Sequence, residues 1–212
     1  NIEKVFKKGN LMFDGKTVTP FPAPEIEPYL ARRAHDTFRV AHLTAEDFTE
    51  HRPRGIIGMI PGEIVTEDQG YSDHIDTEWD ILKVAVVERH KNTGHIGIGY
   101  LNGYGLKAGA VATSVAHDSH NIICVGCNDA DMALAANRVV ENHGGIVVVK
   151  DGQVIAELQL EIAGLMTNQS LVSVNEQLEQ AKDAAHSLGV CMQIDPFMTL
   201  SFMSLPVIPT LR

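Results

Sequence analysis

No two of the chain's ten histidines are separated by a single residue, so the H-x-H pair of many metal centres is missing. Neither a G-x-S-x-G elbow, a phosphate-binding P-loop nor an H-E-x-x-H helix occurs, so none of the familiar hydrolase or nucleotide motifs is available. Cysteine is scarce. Cys124, Cys127 and Cys191 leave an odd count, and nothing suggests a disulfide scaffold. With no secretory apolar segment at the start, a reducing cytoplasm is the expected location. Basic charge is short as well: 17 Lys and Arg stand against 27 Asp and Glu, a net charge of −10. Phosphate backbones need concentrated Lys/Arg, so a nucleic-acid partner is not expected. The lysines Lys4, Lys7 and Lys8 alternate with apolar residues like a strand and are too few for a polybasic arm. The longest apolar run, 197–208, is broken by Thr199, Ser201, Ser204 and Pro206. It falls short of the roughly 18 apolar residues of a membrane span, so no membrane partner is expected. The first residue is Asn, not Met, which is consistent with a processed, truncated or excised chain.

What is present suits a folded core, since 44% of the 212 residues are hydrophobic. Residues 1–19 read as a β-ribbon, with Gly9 and Asp14-Gly15 at turn positions. Pro20, Pro22, Pro24 and Pro28 follow within nine residues. Proline fixes φ and withholds a donor, so 20–37 reads as an extended linker. The remainder, 38–212, reads as one domain. Phe38-Arg39-Val40 suggests a strand, Thr44 caps a short helix over 45–48, and 54–66 suggests a strand pair broken at Pro61-Gly62. The segment 81–89 is the clearest strand, and its Val content places it centrally. Asn128 is a fitting N-cap, and Met132, Ala135, Ala136, Val139 and Val140 repeat at helical spacing, predicting a helix near 129–142. Asp151-Gly152 joins two apolar runs as a β-hairpin. Ser173 with Glu176 predicts a capping box for a second helix near 174–188, and Asp195-Pro196 opens a third. Helices and strands do not alternate regularly. The expected fold is therefore α+β: a mixed, largely antiparallel sheet with packed helices, preceded by the ribbon.

Two clusters are chemically suggestive. His117, His120, Cys124 and Cys127 spell H-x2-H-x3-C-x2-C, a zinc-like donor set. Residues three apart on a strand point to opposite faces, so buried, unligated cysteines are expected and no metal is assigned to this chain. The run His117, Asp118, Ser119, His120, Asn121 places five polar residues between two apolar strands. One reading is a site loop in which Asp118 orients an imidazole that titrates near neutral pH. The other is a turn whose Asp, Ser and Asn bond their own backbone. Gly97-Ile98-Gly99 lacks the spacing of a phosphate loop, and His90 and His95 flank a surface turn.

The blocks AHDSHNIICVGCNDADMAL (116–134), GGIVVVKDG (144–152), IAGLM (162–166) and DPFMTLSF (195–202) closely resemble the C-terminal domain of adenine deaminases, in the amidohydrolase superfamily. The likeness covers nearly the whole chain. EKVFKKGNLMFDGK resembles the strand pair that completes the amidohydrolase β-sandwich after the barrel. The resemblance implies a whole enzyme that hydrolyses adenine to hypoxanthine and ammonia, part of purine salvage and adenine catabolism. Its manganese or iron would be held in an N-terminal (β/α)8 barrel by an H-x-H pair and further His, Glu and Asp residues. This chain would pack on that barrel as its own partner domain, lack the catalytic residues and be inactive alone, in a homo-oligomer. The alternative is a purely structural or oligomerisation domain without contact to the purine.

Overall fold

The computed structural model describes residues 1–20, 22 and 24–208; Phe21 and Ala23 of the expected linker, and 209–212 at the end of the expected domain, lie outside the described residues. Contacts divide the chain into two compact units, Asn1–Arg32 and Arg33–Arg212. In the first, β1 (Val5–Lys7) pairs antiparallel with β2 (Asn10–Phe13), and Lys8 and Gly9 turn between them at positive φ. Asp14 makes a second turn: its carboxylate accepts from the Lys16 and Thr17 amides, and Phe13 bridges Val18. The linker is not extended throughout. A helix, α1 (Pro28–His35), starts with proline at its first position, where the missing N–H has no partner to lose.

The second unit is built on an eight-stranded sheet. Its strands are β3 (Arg54–Met59), β4 (Thr66–Ser72), β5 (Leu82–Val87), β6 (Ile96–Asn102), β7 (Ala110–Thr113), β8 (Ile122–Gly126), β9 (Gly145–Lys150) and β10 (Gln153–Gln159). They lie in the order β10-β9-β7-β8-β5-β6-β3-β4. Among these strands only β3 and β6 pair in parallel. The strand expected to be central is β5, bonded to β6 on one side and β8 on the other.

Every residue of β7 and β8 is buried, so both sheet faces must be covered. On one face Ala85, Ala112, Cys124 and Val147 pack against α2 (Asp129–Glu141) through Met132, Ala136 and Val139. On the other, Val84, Val111, Ile123 and Val148 meet α3 (Leu171–Ser187) and α4 (Pro196–Phe202) through Ala181, Ala185, Phe197 and Leu200. Burying a side chain of this size stabilises by about 1.5–3 kcal/mol, so the sheet core is the main source of stability.

The helix ends follow from local chemistry. The Asn128 side chain accepts from the Asp131 amide, and Asp195 accepts from the Phe197 and Met198 amides. Thr44 and Asp47 form the capping box of the 3-10 helix Ala45–Phe48. The cap of α3 is Ser170 rather than Ser173: its hydroxyl accepts from the Ser173 amide, so Ser173 sits inside the first turn and Glu176 beyond it. Phe38-Arg39-Val40 is not a strand; Arg39 makes one backbone bond, to the Arg89 carbonyl (2.8 Å), while the Phe38 ring packs under the Arg89 guanidinium. At Gly145, φ is 135° and an added Cβ would stand 2.0 Å from the Leu158 carbonyl oxygen, so the start of β9 requires glycine.

Asn137 of α2 holds both main-chain groups of Leu43: its Oδ1 accepts from the amide (2.9 Å) and its Nδ2 donates to the carbonyl (2.8 Å). Replacing Asn137 with Ala strands both groups in a buried position and is expected to cost about 1–3 kcal/mol in urea unfolding. An unchanged midpoint would show that Leu43 is not held this way.

Candidate functional site around the β7–β8 loop

The polar run lies on the loop joining β7 to β8, at the end of the sheet where α4 terminates. Its base is tied down. Ser114 donates to the Gly164 carbonyl (2.6 Å) and accepts from the Gly145 amide (2.8 Å). Above it, the His117 amide donates to the Ser201 carbonyl (2.9 Å), and the His117 ring lies 4.7 Å from the Phe202 ring. Ser204 donates to the His117 carbonyl (3.5 Å). The loop 117–121 and the helix of the DPFMTLSF block, far apart in sequence, therefore form one structural unit. The peptide between His117 and Asp118 is cis.

The five candidates divide into two groups. His117, Asp118, Ser119 and Asn121 line an open cleft of about 500 Å³, together with Val86, Ser204, Leu205, Pro206 and Val207. Asp118 and Ser119 are exposed there, and the Asp118 carboxylate makes no hydrogen bond among the described residues, to either imidazole or to backbone. Asn121 is anchored instead, its Oδ1 accepting from the Arg89 amide (3.3 Å). His120 is absent from the cleft lining and turns inward at φ 49°, its ring 6.0 Å from that of His117. Its Nδ1 is buried and has no hydrogen-bond partner among the described residues. Burial first, and then the neighbouring His117 and Arg89, hold the His120 imidazole below its ordinary pKa. The loop is thus in part a self-bonded turn, with Ser119 Oγ accepting from the Asn121 amide (3.4 Å), and it presents the Asp118 carboxylate, the Ser119 hydroxyl and the His117 imidazole to the cleft over the inward His120 ring.

Residues outside the run complete it. His90, expected on the surface, is exposed, yet its Nε2 donates to the Ser119 carbonyl (2.8 Å). Arg89 is 2% exposed, and its Nε donates to the His120 carbonyl. The only sequence sign of these contacts is a charge ending the most apolar strand, Glu88-Arg89-His90 after 81–87.

The cysteines stand elsewhere. Cys124 faces the α2 side of the sheet and donates to the Met132 carbonyl; Cys127 packs toward the opposite face and donates to the Leu106 carbonyl. His120 and Cys127 flank opposite ends of β8, whose five residues span about 16 Å at roughly 3.3 Å per residue. The four residues cannot share one ion, and the described residues hold no group of three or more His, Cys, Asp or Glu placed to bind a metal. Burial pushes the Cys124 thiol well up and the Cys127 thiol up to about 11.

The family model described as adenine deaminase C-terminal domain matches residues 62–212. The chain belongs to the adenine deaminase C-terminal domain family. It is similar to "Adenine deaminase" of Brucella abortus (strain 2308), 42% identical over 86% of this chain and 33% of that protein. "Adenine deaminase 2" of Carboxydothermus hydrogenoformans is 42% identical over 98% of this chain and 38% of that protein. "Adenine deaminase" of Dehalococcoides mccartyi is 41% identical over the whole of this chain and 38% of that protein. This chain thus spans about a third of the length of the curated relatives it matches. Both blocks that meet at the loop, 117–121 and 195–202, fall inside the matched domain.

A thiol titration checks the cysteine geometry of this adenine deaminase C-terminal domain. In the folded chain at pH 7.5 (~), Cys124 and Cys127 are expected to resist an aromatic disulfide reagent until denaturant is added. Reaction of either at the rate of a free thiol would contradict the burial described.

Proposed function

We propose that this chain is the C-terminal third of an adenine deaminase, and that its β7–β8 loop bounds the purine site of the whole enzyme. The observation that carries the second part is the loop itself. His117, Asp118 and Ser119 line the cleft, held by α4 and by buried anchors, and the Asp118 carboxylate makes no hydrogen bond among the described residues. Solvent-facing polar groups held in one geometry by the fold are what binding a polar ligand requires. Hydrolysis of adenine to hypoxanthine and ammonia, which a manganese or iron centre would drive by activating water, belongs on this reading to a (β/α)8 barrel in the remainder of the protein. The donors of this chain do not fit such a centre, because its His and Cys residues diverge along β8, so no metal step is assigned to it. What the loop can supply is a hydrogen bond to a purine ring nitrogen, or a proton passed by an imidazole toward the departing ammonia. In the same reading 1–19 completes the barrel's β-sandwich, 20–37 links, and 38–212 is the domain that packs on the barrel.

A homo-oligomer in the cytoplasm is also proposed. The described residues include no helix long and apolar enough to cross a membrane. Tyr71 in the edge strand β4 and Trp79 in the turn before β5, 74% and 75% exposed, favour a second role for the domain in assembly.

Two measurements test the proposal. With manganese supplied, the chain alone is expected to form no hypoxanthine and to bind no stoichiometric metal, whereas the full-length enzyme does both; activity in the purified chain would overturn the division of labour. In the full-length enzyme, His117→Ala or His120→Ala is expected to lower kcat/KM for adenine at least about tenfold with folding intact, equivalent to about 1.4 kcal/mol. Unchanged kinetics in both variants would remove the loop from the active site.

A further inference from the structure

Arg89 is the most unusual side chain near the loop. It follows β5 at the sheet end, is 2% exposed, and has no carboxylate paired with it among the described residues. A buried charge without a counter-ion is expensive and persists where every donor is satisfied and something else requires it. Here each of the three guanidinium nitrogens has a neutral acceptor, four acceptors in all on three separate segments. Nε donates to the His120 carbonyl, Nη2 to the Ala163 carbonyl (3.0 Å), and Nη1 to the carbonyl and hydroxyl of Thr37 (3.2 and 3.3 Å). The plane of the guanidinium lies over the Phe38 ring, 4.2 Å from its centroid.

Two of the gripped carbonyls belong to residues that resist their own conformation. His120 sits at φ 49° and Ala163 at φ 58°, the left-handed region that costs a non-glycine residue about 1 kcal/mol or more. Each is held there by a donor of the same guanidinium. The neighbouring position is fitted to it: a Cβ on Gly164 would stand 3.0 Å from both Nη2 and the Phe38 ring, so a side chain there would crowd the arginine. This gives the IAGLM block a physical meaning, as the socket in which Arg89 is seated. The Arg89 main chain adds two more ties, its amide to Asn121 Oδ1 and its carbonyl to the Arg39 amide.

We propose that Arg89 is a positioning residue of the enzyme: its buried guanidinium, by holding the carbonyls of His120, Ala163 and Thr37 together, sets the geometry in which His117, Asp118 and Ser119 face the cleft beside Ser204. A lysine cannot do this, because an ammonium is a compact point charge, whereas the guanidinium plane delivers donors in several fixed directions while stacking on Phe38. The proposal rests on the reading that the loop bounds the purine site.

The test is a double-mutant cycle in the full-length, metal-loaded enzyme, with kcat and KM for adenine expressed per metal-loaded site and melting temperature recorded alongside. Arg89→Lys is expected to lower kcat/KM about tenfold. The same substitution in a loop variant carrying His117→Ala and Asp118→Ala is expected to cause little further loss. Should Arg89→Lys fail to fold, Thr37→Ala, which removes only the hydroxyl acceptor, carries the same cycle with an expected loss of about twofold. A lower melting temperature with unchanged kcat and KM would make Arg89 a structural clamp only and overturn the proposal. A full loss repeated in the loop variant would overturn it too, since Arg89 would then act by another route. If the loop variant retains activity while Arg89→Lys loses it, the purine-site reading fails and the positioning role falls with it. If only the loop variant loses activity, the purine-site reading stands and the positioning role alone is overturned.

Discussion

Complete burial of the middle of the sheet is the constraint on which the rest of the domain depends. Since β7 and β8 expose no residue on either face, each face needs its own helical cover: α2 with the 3-10 helix on one, α3 and α4 on the other. Polar backbone and side chains are then confined to the ends of the strands. At one such end β5, β8 and the last turn of α4 converge, and there the 117–121 loop emerges. The cleft follows from layer packing, and the polar groups lining it are what the core could not accept.

Charge obeys the same constraint. Lys83, inside the α2 face, reaches the Phe48 carbonyl and the Asp129 carboxylate, so its ammonium is paired. Arg89, at the other end of the same strand, is surrounded by neutral acceptors. Burial draws its pKa down to about 10, still well above neutrality, so the guanidinium stays charged beside His120 and, after burial and His117, helps hold that imidazole below its ordinary pKa. β5 thus carries one paired cation within it and is followed by another that ties three chain segments together.

The elements legible in the sequence are those whose cause is local. The Asn128 and Asp195 caps, the Asp151-Gly152 hairpin and the apolar stripe of α2 each depend on residues within a few positions, and each stands where the spacing put it. The start of α3 lies three residues before the position the capping-box pattern gives, because Ser170 offers the same hydroxyl as Ser173 and it is Ser170 that supplies the cap. Phe38-Arg39-Val40 reads as a strand by composition, but its ring is taken by a partner 51 positions away, Arg89. The site divides in the same way. The polar run 117–121 was visible, whereas the inward turn of His120 and the grip of Arg89 depend on segments 31 and 74 residues from that arginine. Such contacts leave no periodicity to read.

The central claim is that the 117–121 loop meets the purine in the whole enzyme. Amide hydrogen exchange of the full-length protein, with and without saturating hypoxanthine, addresses it without altering a residue. The account requires slower exchange on ligand binding in peptides covering 116–122, together with the end of α4 that pins the loop, and little change in the edge strand β4. Exchange in 116–122 that is indifferent to the purine, while peptides elsewhere in the protein become protected, would contradict it.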